Sequence, residues 1–168
     1  MDTQSRHIGL VNIRRFQQLS FAEQLTLWSV RMWLRAYCRR SEMFATVHEA
    51  FELLGIADAG RAFDDGMAIL AIGTHQDLLF LNVDSQYISQ DEGDFLEVLA
   101  AFQKEDDDRA RAQLHVWMPV SSCRVACAAF KKFANQLAKS GLLIGTEGDA
   151  AFVGSKSPNL TIHAKSLH

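Results

Sequence analysis

The chain has 168 residues, with 48% hydrophobic and 22% charged side chains and a formal net charge of -3. That length supports a hydrophobic core without disulfide or metal staples, and the slightly acidic balance argues against binding nucleic acid through the whole surface. The longest unbroken apolar runs are short, as in Ile69-Leu70-Ala71-Ile72, far below the ~20 residues that cross a bilayer.

The stretch Met1 to Arg15 is polar and carries three arginines, without the apolar centre of a secretory signal. Three cysteines in no framework spacing read as free thiols in a reducing compartment, so a cytoplasmic location and no membrane association are expected. Two prolines leave long stretches free to be helical.

Ser20 and Glu23 form a capping box, and a helix is predicted from Phe21 to about Arg40. Phe21, Leu25, Trp28 and Met32 line one face, while Leu27, Val30, Leu34 and Tyr37 line the other. A helix apolar on two sides packs on two sides, which makes this one the centre of a bundle. Thr46 and Glu49 offer a second box for a short helix ending at Gly55, and Asp58 a cap for a helix running to Gly73. Asp77 to Val83 is apolar without helical period and is predicted to be extended. Ser89 and Glu92 open a helix marked by Phe95, Val98, Leu99 and Phe102. Asp106 to Asp108 start another, marked by Ala110, Leu114 and Trp117 and stopped near Pro119. Ser121 or Ser122 caps a last helix whose core face is Ala126, Phe130, Phe133 and Leu137. Leu142 to Ile144 and Ala150 to Val153 flank a glycine-containing loop and read as a hairpin, followed by a loose polar tail from Ser155.

The expected fold is therefore mainly α: a bundle of about six helices with one or two short strands or a C-terminal hairpin. Residues 1–168 read as one helical domain. An alternative division separates a helical half, residues 1–72, from a three-helix and hairpin half, residues 89–154.

Arg31, Arg35 and Arg39 recur at spacing four on the central helix, with Trp28 beside them. Guanidiniums in a row suit carboxylate or phosphate, so these four residues form a candidate surface for an anionic partner. The alternative is a solvated flank paired with acids of the same chain. An acidic belt from Asp84 to Asp108 holds Asp91, Glu92, Asp94 and Glu97. Residues 84 to 92 lack the glycine and the second ligand acid of a calcium loop, and pairing of the belt with the arginines of another copy would drive homodimerisation.

Cys123 and Cys127 stand four apart, yet no C-x-x-C or H-E-x-x-H accompanies them, so no metal and no cofactor is expected. His48 and His115 lack the neighbours of catalytic or phosphorelay histidines. No nucleophile elbow, phosphate loop or dinucleotide fingerprint is present, and no catalytic residue is assigned.

From Ser89 to Val153 the order helix, helix, helix, hairpin resembles a winged helix-turn-helix. Pro119 to Ser122 would be its turn, and Arg124, Lys131, Lys132 and Lys139 would lie on or near its recognition helix. The resemblance implies binding to DNA phosphates, helped by six Lys or Arg against two acids from residue 122 onward.

The preferred reading is a non-enzymatic cytoplasmic module that regulates or binds a protein partner or a second copy of itself. A DNA-binding regulator and a helical binder of a small anionic ligand are the alternatives.

Overall fold

The computed structural model describes residues 14–39, 44–145 and 160–162. Six α-helices dominate: α1 (Phe21–Arg39), α2 (Phe44–Leu53), α3 (Ala57–Gly73), α4 (Gln90–Gln103), α5 (Asp107–Trp117) and α6 (Val120–Lys139). A single 3-10 turn, Phe16–Gln18, precedes α1. A short strand β1 (Leu78–Phe80) pairs antiparallel with β2 (Leu160–Ile162), Leu78 opposite Ile162. The chain is a mainly α bundle of six helices, as the periodicity predicts.

α1 starts where Ser20 and Glu23 exchange hydrogen bonds, Ser20 N–H donating to Glu23 Oε2 at 2.8 Å and Glu23 N–H to Ser20 Oγ at 3.3 Å. Each side chain answers an amide that the first helical turn leaves free. Residues 29–34 of α1 are all buried, so the helix is enclosed on both sides as its two apolar faces require. Phe21 and Tyr37, assigned to those faces, are exposed at its two ends.

α4 opens on the predicted box of Ser89 and Glu92, and α5 on Asp106, whose carboxylate accepts from Arg109 N–H at 3.2 Å. Three other starts differ from expectation. α2 begins at Phe44, which places Thr46 inside the helix. α3 begins after Ile56 with Asp58 in its first turn. α6 begins after Pro119, ahead of both Ser121 and Ser122. Proline has no N–H and its fixed φ feeds a helix directly, so it sets the start without a side-chain cap.

α3 packs most extensively against α6. A Cβ on Gly66 would lie 2.5 Å from the Phe130 ring, so only glycine lets the two helices approach this closely. Phe51, Phe63 and Phe133 meet one another edge-on or tilted, and Phe130 meets Phe95 edge-on at 5.2 Å between centroids. The buried apolar side chains of all six helices, Trp33 and Trp117 among them, form one contiguous cluster, against which Trp28 packs half-buried.

The predicted hairpin is not formed by its first arm. Leu142 to Ile144 is irregular, and Gln103 holds it: Gln103 Nε2 donates to the Leu142 carbonyl at 2.9 Å and its Oε1 accepts from Ile144 N–H at 2.8 Å. Ala150 to Val153, the second arm, lies outside the described residues. The tail from Ser155, expected to be loose, instead supplies β2 and completes β1. Unpaired backbone on a buried strand needs a partner, and the tail provides it.

Candidate functional site

The arginine row divides once it is folded. Arg31 is 0% exposed, and its guanidinium faces Glu92, also 0% exposed. Nε donates to Glu92 Oε1 at 2.7 Å and one terminal nitrogen to Oε2 at 3.0 Å, a bidentate pair. The other donors reach the carbonyls of Ser85 at 3.0 Å and Tyr87 at 2.6 Å. Phe16, and not Trp28, carries the cation on its ring face, 5.1 Å from the centroid. Glu92 also accepts from the backbone N–H of Leu81 and Ser89. Arg31 thus leaves the candidate anion-binding surface, because its hydrogen bonds tie α1 to the segment entering α4. Arg35 is partly buried, its Nε without a partner among the described residues, and Arg39 is exposed at the end of α1. The row and the acidic belt do meet, but within one chain.

Several other acids of the belt are also engaged locally. Asp91 Oδ2 accepts from Leu79 N–H at 2.6 Å, Glu97 pairs with Arg109 at 3.1 Å, and Asp108 pairs with Arg111 at 3.3 Å. Burial raises the Asp94 carboxyl above its ordinary range. The hydrogen bond from Gln90 opposes that shift, and the charges of Asp91 and Glu97 add to it.

An open cleft of about 290 Å³ lies between α4 and α5, lined by Glu97, Val98, Arg109, Ala112, Gln113 and Val116. Its two charged groups already pair with each other, and none of Arg31, Arg35 or Arg39 lines it. A small anion would find its cation occupied there.

His48 Nε2 hydrogen-bonds Asp64 Oδ2 and so links α2 to α3. Its Nδ1 is turned toward Gly60, where a Cβ would lie 3.1 Å away. One ring nitrogen thus faces the Asp64 carboxylate and the other the Gly60 backbone. Sequence spacing alone does not reveal this pair, because its partners stand 16 residues apart on two helices.

α6 has a different surface. It contains Arg124, Lys131, Lys132 and Lys139 and no acidic residue. Cys123, Ala126, Phe130, Phe133, Ala134 and Leu137 are buried on one side. Ser121, Arg124, Val125, Ala128, Lys132, Asn135 and Lys139 are exposed on the other. Lys131 stands at the edge and pairs with Asp107 at 2.5 Å, which removes it from the free set. Arg124, Lys132 and Lys139 have no ion-pair partner among the described residues. At a rise of about 1.5 Å per residue they mark a cationic stripe roughly 20 Å long.

What the fold and this surface define is a helical bundle with one acid-free helix facing outward. No protein-family model, curated protein or solved structure matches the chain. Among the described residues no helix is long and apolar enough to cross a membrane.

Proposed function

We propose that this chain is a non-enzymatic interaction module that binds an acidic protein partner through the outer face of α6. One observation carries the reading: Arg124, Lys132 and Lys139 share an exposed face without internal acid partners, on a helix free of acids. Charges left unpaired in this way steer encounter with a surface of opposite sign. Val120 and Val125 are exposed on the same helix, at 69% and 55%. Apolar side chains among cations suit a protein interface, where apolar contacts at the centre are ringed by charge. The α1 arginines contribute at most Arg35 and Arg39 to any such surface, since Arg31 is buried.

A second reading, DNA binding, draws on the same exposure: a recognition helix needs a free outer face, and α6 follows α5 after only Met118 and Pro119. Arg124, Lys132 and Asn135 are among the side chains there that suit base edges. Against it, Lys131 is already paired with Asp107, and the first arm of the wing is irregular.

One experiment addresses both. The chain and its Arg124→Glu/Lys132→Glu/Lys139→Glu variant are passed over immobilised poly-glutamate and over double-stranded DNA in a salt gradient, with Val125→Asp as a third sample. The proposed interface predicts retention on poly-glutamate that the triple reversal weakens roughly tenfold to a hundredfold. Equal retention of the parent and the reversed chain discards it. Retention by DNA alone, insensitive to Val125→Asp, moves the assignment to nucleic acid.

A further inference from the structure

Cys123 and Cys127 stand one turn apart on α6 with their sulfurs 3.8 Å from each other. Cys123 is buried under α5, its thiol 3.8 Å from the Arg111 carbonyl, and Cys127 is half-buried at the rim. The Arg111 side chain lies against Cys127 and favours its thiolate, while burial and the Cys123 sulfur push the thiol up to about 12. At neutral pH the Cys127 thiol is therefore protonated and a poor nucleophile. The arrangement of the two sulfurs nonetheless brings two soft donors to one point beside one cation.

We propose that Cys123 and Cys127 together bind one univalent soft metal ion of the copper(I) class, with Arg111 as the neighbouring counter-charge. Thiolates select soft ions. Two metal–sulfur bonds of about 2.3 Å span up to about 4.6 Å when collinear, so sulfurs at this separation can share an ion across a bent bridge. Zinc requires four ligands, and the described residues contain no group of three or more His, Cys, Asp or Glu that could hold a metal. An ion content with two donors is accordingly the one that fits. Two thiolates and a univalent cation leave one negative charge beside the Arg111 guanidinium, which also pairs with Asp108 at 3.3 Å. Two S–H bonds break, two sulfur–metal bonds form, two protons pass to buffer, and no oxidation state changes. A disulfide fits less well: helix positions four apart hold their Cβ atoms about 5–6 Å from each other, and a disulfide needs about 3.5–4.5 Å.

The test uses the full chain carrying Cys38→Ser, which removes the exposed third thiol. It is reduced, kept free of oxygen and titrated with copper(I) against the chelator bicinchoninate. The expected result is one ion per chain, held more weakly as pH falls because protons compete for the sulfurs. Cys127→Ser, a rim substitution, should lower affinity at least about a hundredfold, and Arg111→Met about tenfold with stoichiometry unchanged. The proposal is overturned if the chelator strips the parent completely, if binding does not weaken on acidification, or if a Cys123→Ser/Cys127→Ser chain retains copper equally. Circular dichroism of each variant checks the helices. Should Cys127→Ser unfold, the stoichiometry and pH dependence of the Cys38→Ser parent decide.

Discussion

A buried guanidinium is tolerable only when its donors are answered, since its desolvation amounts to several kcal/mol. Arg31 meets that condition with Glu92 and two backbone carbonyls. Glu92 in turn is held by the Leu81 and Ser89 amides. Removing one charge leaves the other buried and unpaired, so Glu92→Ala should lower unfolding free energy by about 3–5 kcal/mol. The double variant Arg31→Met/Glu92→Met should recover much of that loss, though not all, because the two amides lose their acceptor. Urea unfolding midpoints measure both, and a single variant within about 1 kcal/mol of the parent would show that the pair carries no such strain. The burial of Arg31 was legible in principle. Leu27, Val30 and Leu34 surround it on a helix apolar on both sides, and a cation at the middle of an enclosed helix has no route to water. Its partner was not legible, because Glu92 already has a local role in the capping box and stands 61 residues away.

Among the elements, the helices themselves follow from spacing that is local in the chain. Phe95, Val98, Leu99 and Phe102 recur at three and four residues and are buried together. The pairing of helices depends on shape between distant residues, which periodicity does not encode. α3 and α6 illustrate this: Gly66 reads from sequence as a weak point in a helix, yet it is the place where Phe130 enters. Gly66→Ala supplies a better helix former, by about 1 kcal/mol. It also places a Cβ 2.5 Å from a ring that is 0% exposed and has nowhere to move. Overpacking of a close-fitting core costs typically about 1–3 kcal/mol. The substitution should therefore destabilise, and a thermal unfolding midpoint at or above that of the parent would indicate that the interface yields. The C-terminal stretch was illegible for a related reason. Leu142 to Ile144 has strand-like composition, but Gln103 takes its backbone groups before any strand does. β2 lies in a polar tail whose pairing with β1 spans some eighty residues of chain.

On the scale of the molecule, charge and core are distributed differently. The chain is net -3 while α6 alone is strongly basic, so overall charge conceals this local cationic surface. The core spans the boundary suggested near residues 73–88. Phe130 of α6 fills the space left by Gly66 of α3, and the Arg31–Glu92 pair joins α1 to α4. If either half were separated there, Phe51, Phe63 and Phe133 would be parted and their rings exposed to water. Burying a phenylalanine side chain stabilises by about 1.5–3 kcal/mol, and whole domains are stable by only about 5–15 kcal/mol. Neither half should fold alone, and the intact chain should unfold in one step. Variants keeping only Trp33 or only Trp117 report from the two sides of the boundary. Their fluorescence should change at the same urea concentration as the far-ultraviolet dichroism, while chains ending at residue 88 or beginning at residue 74 should lack cooperative unfolding. Two separated fluorescence transitions, or a stable fragment of either kind, would mean that the halves are independent and that the shared cluster is an interface between domains.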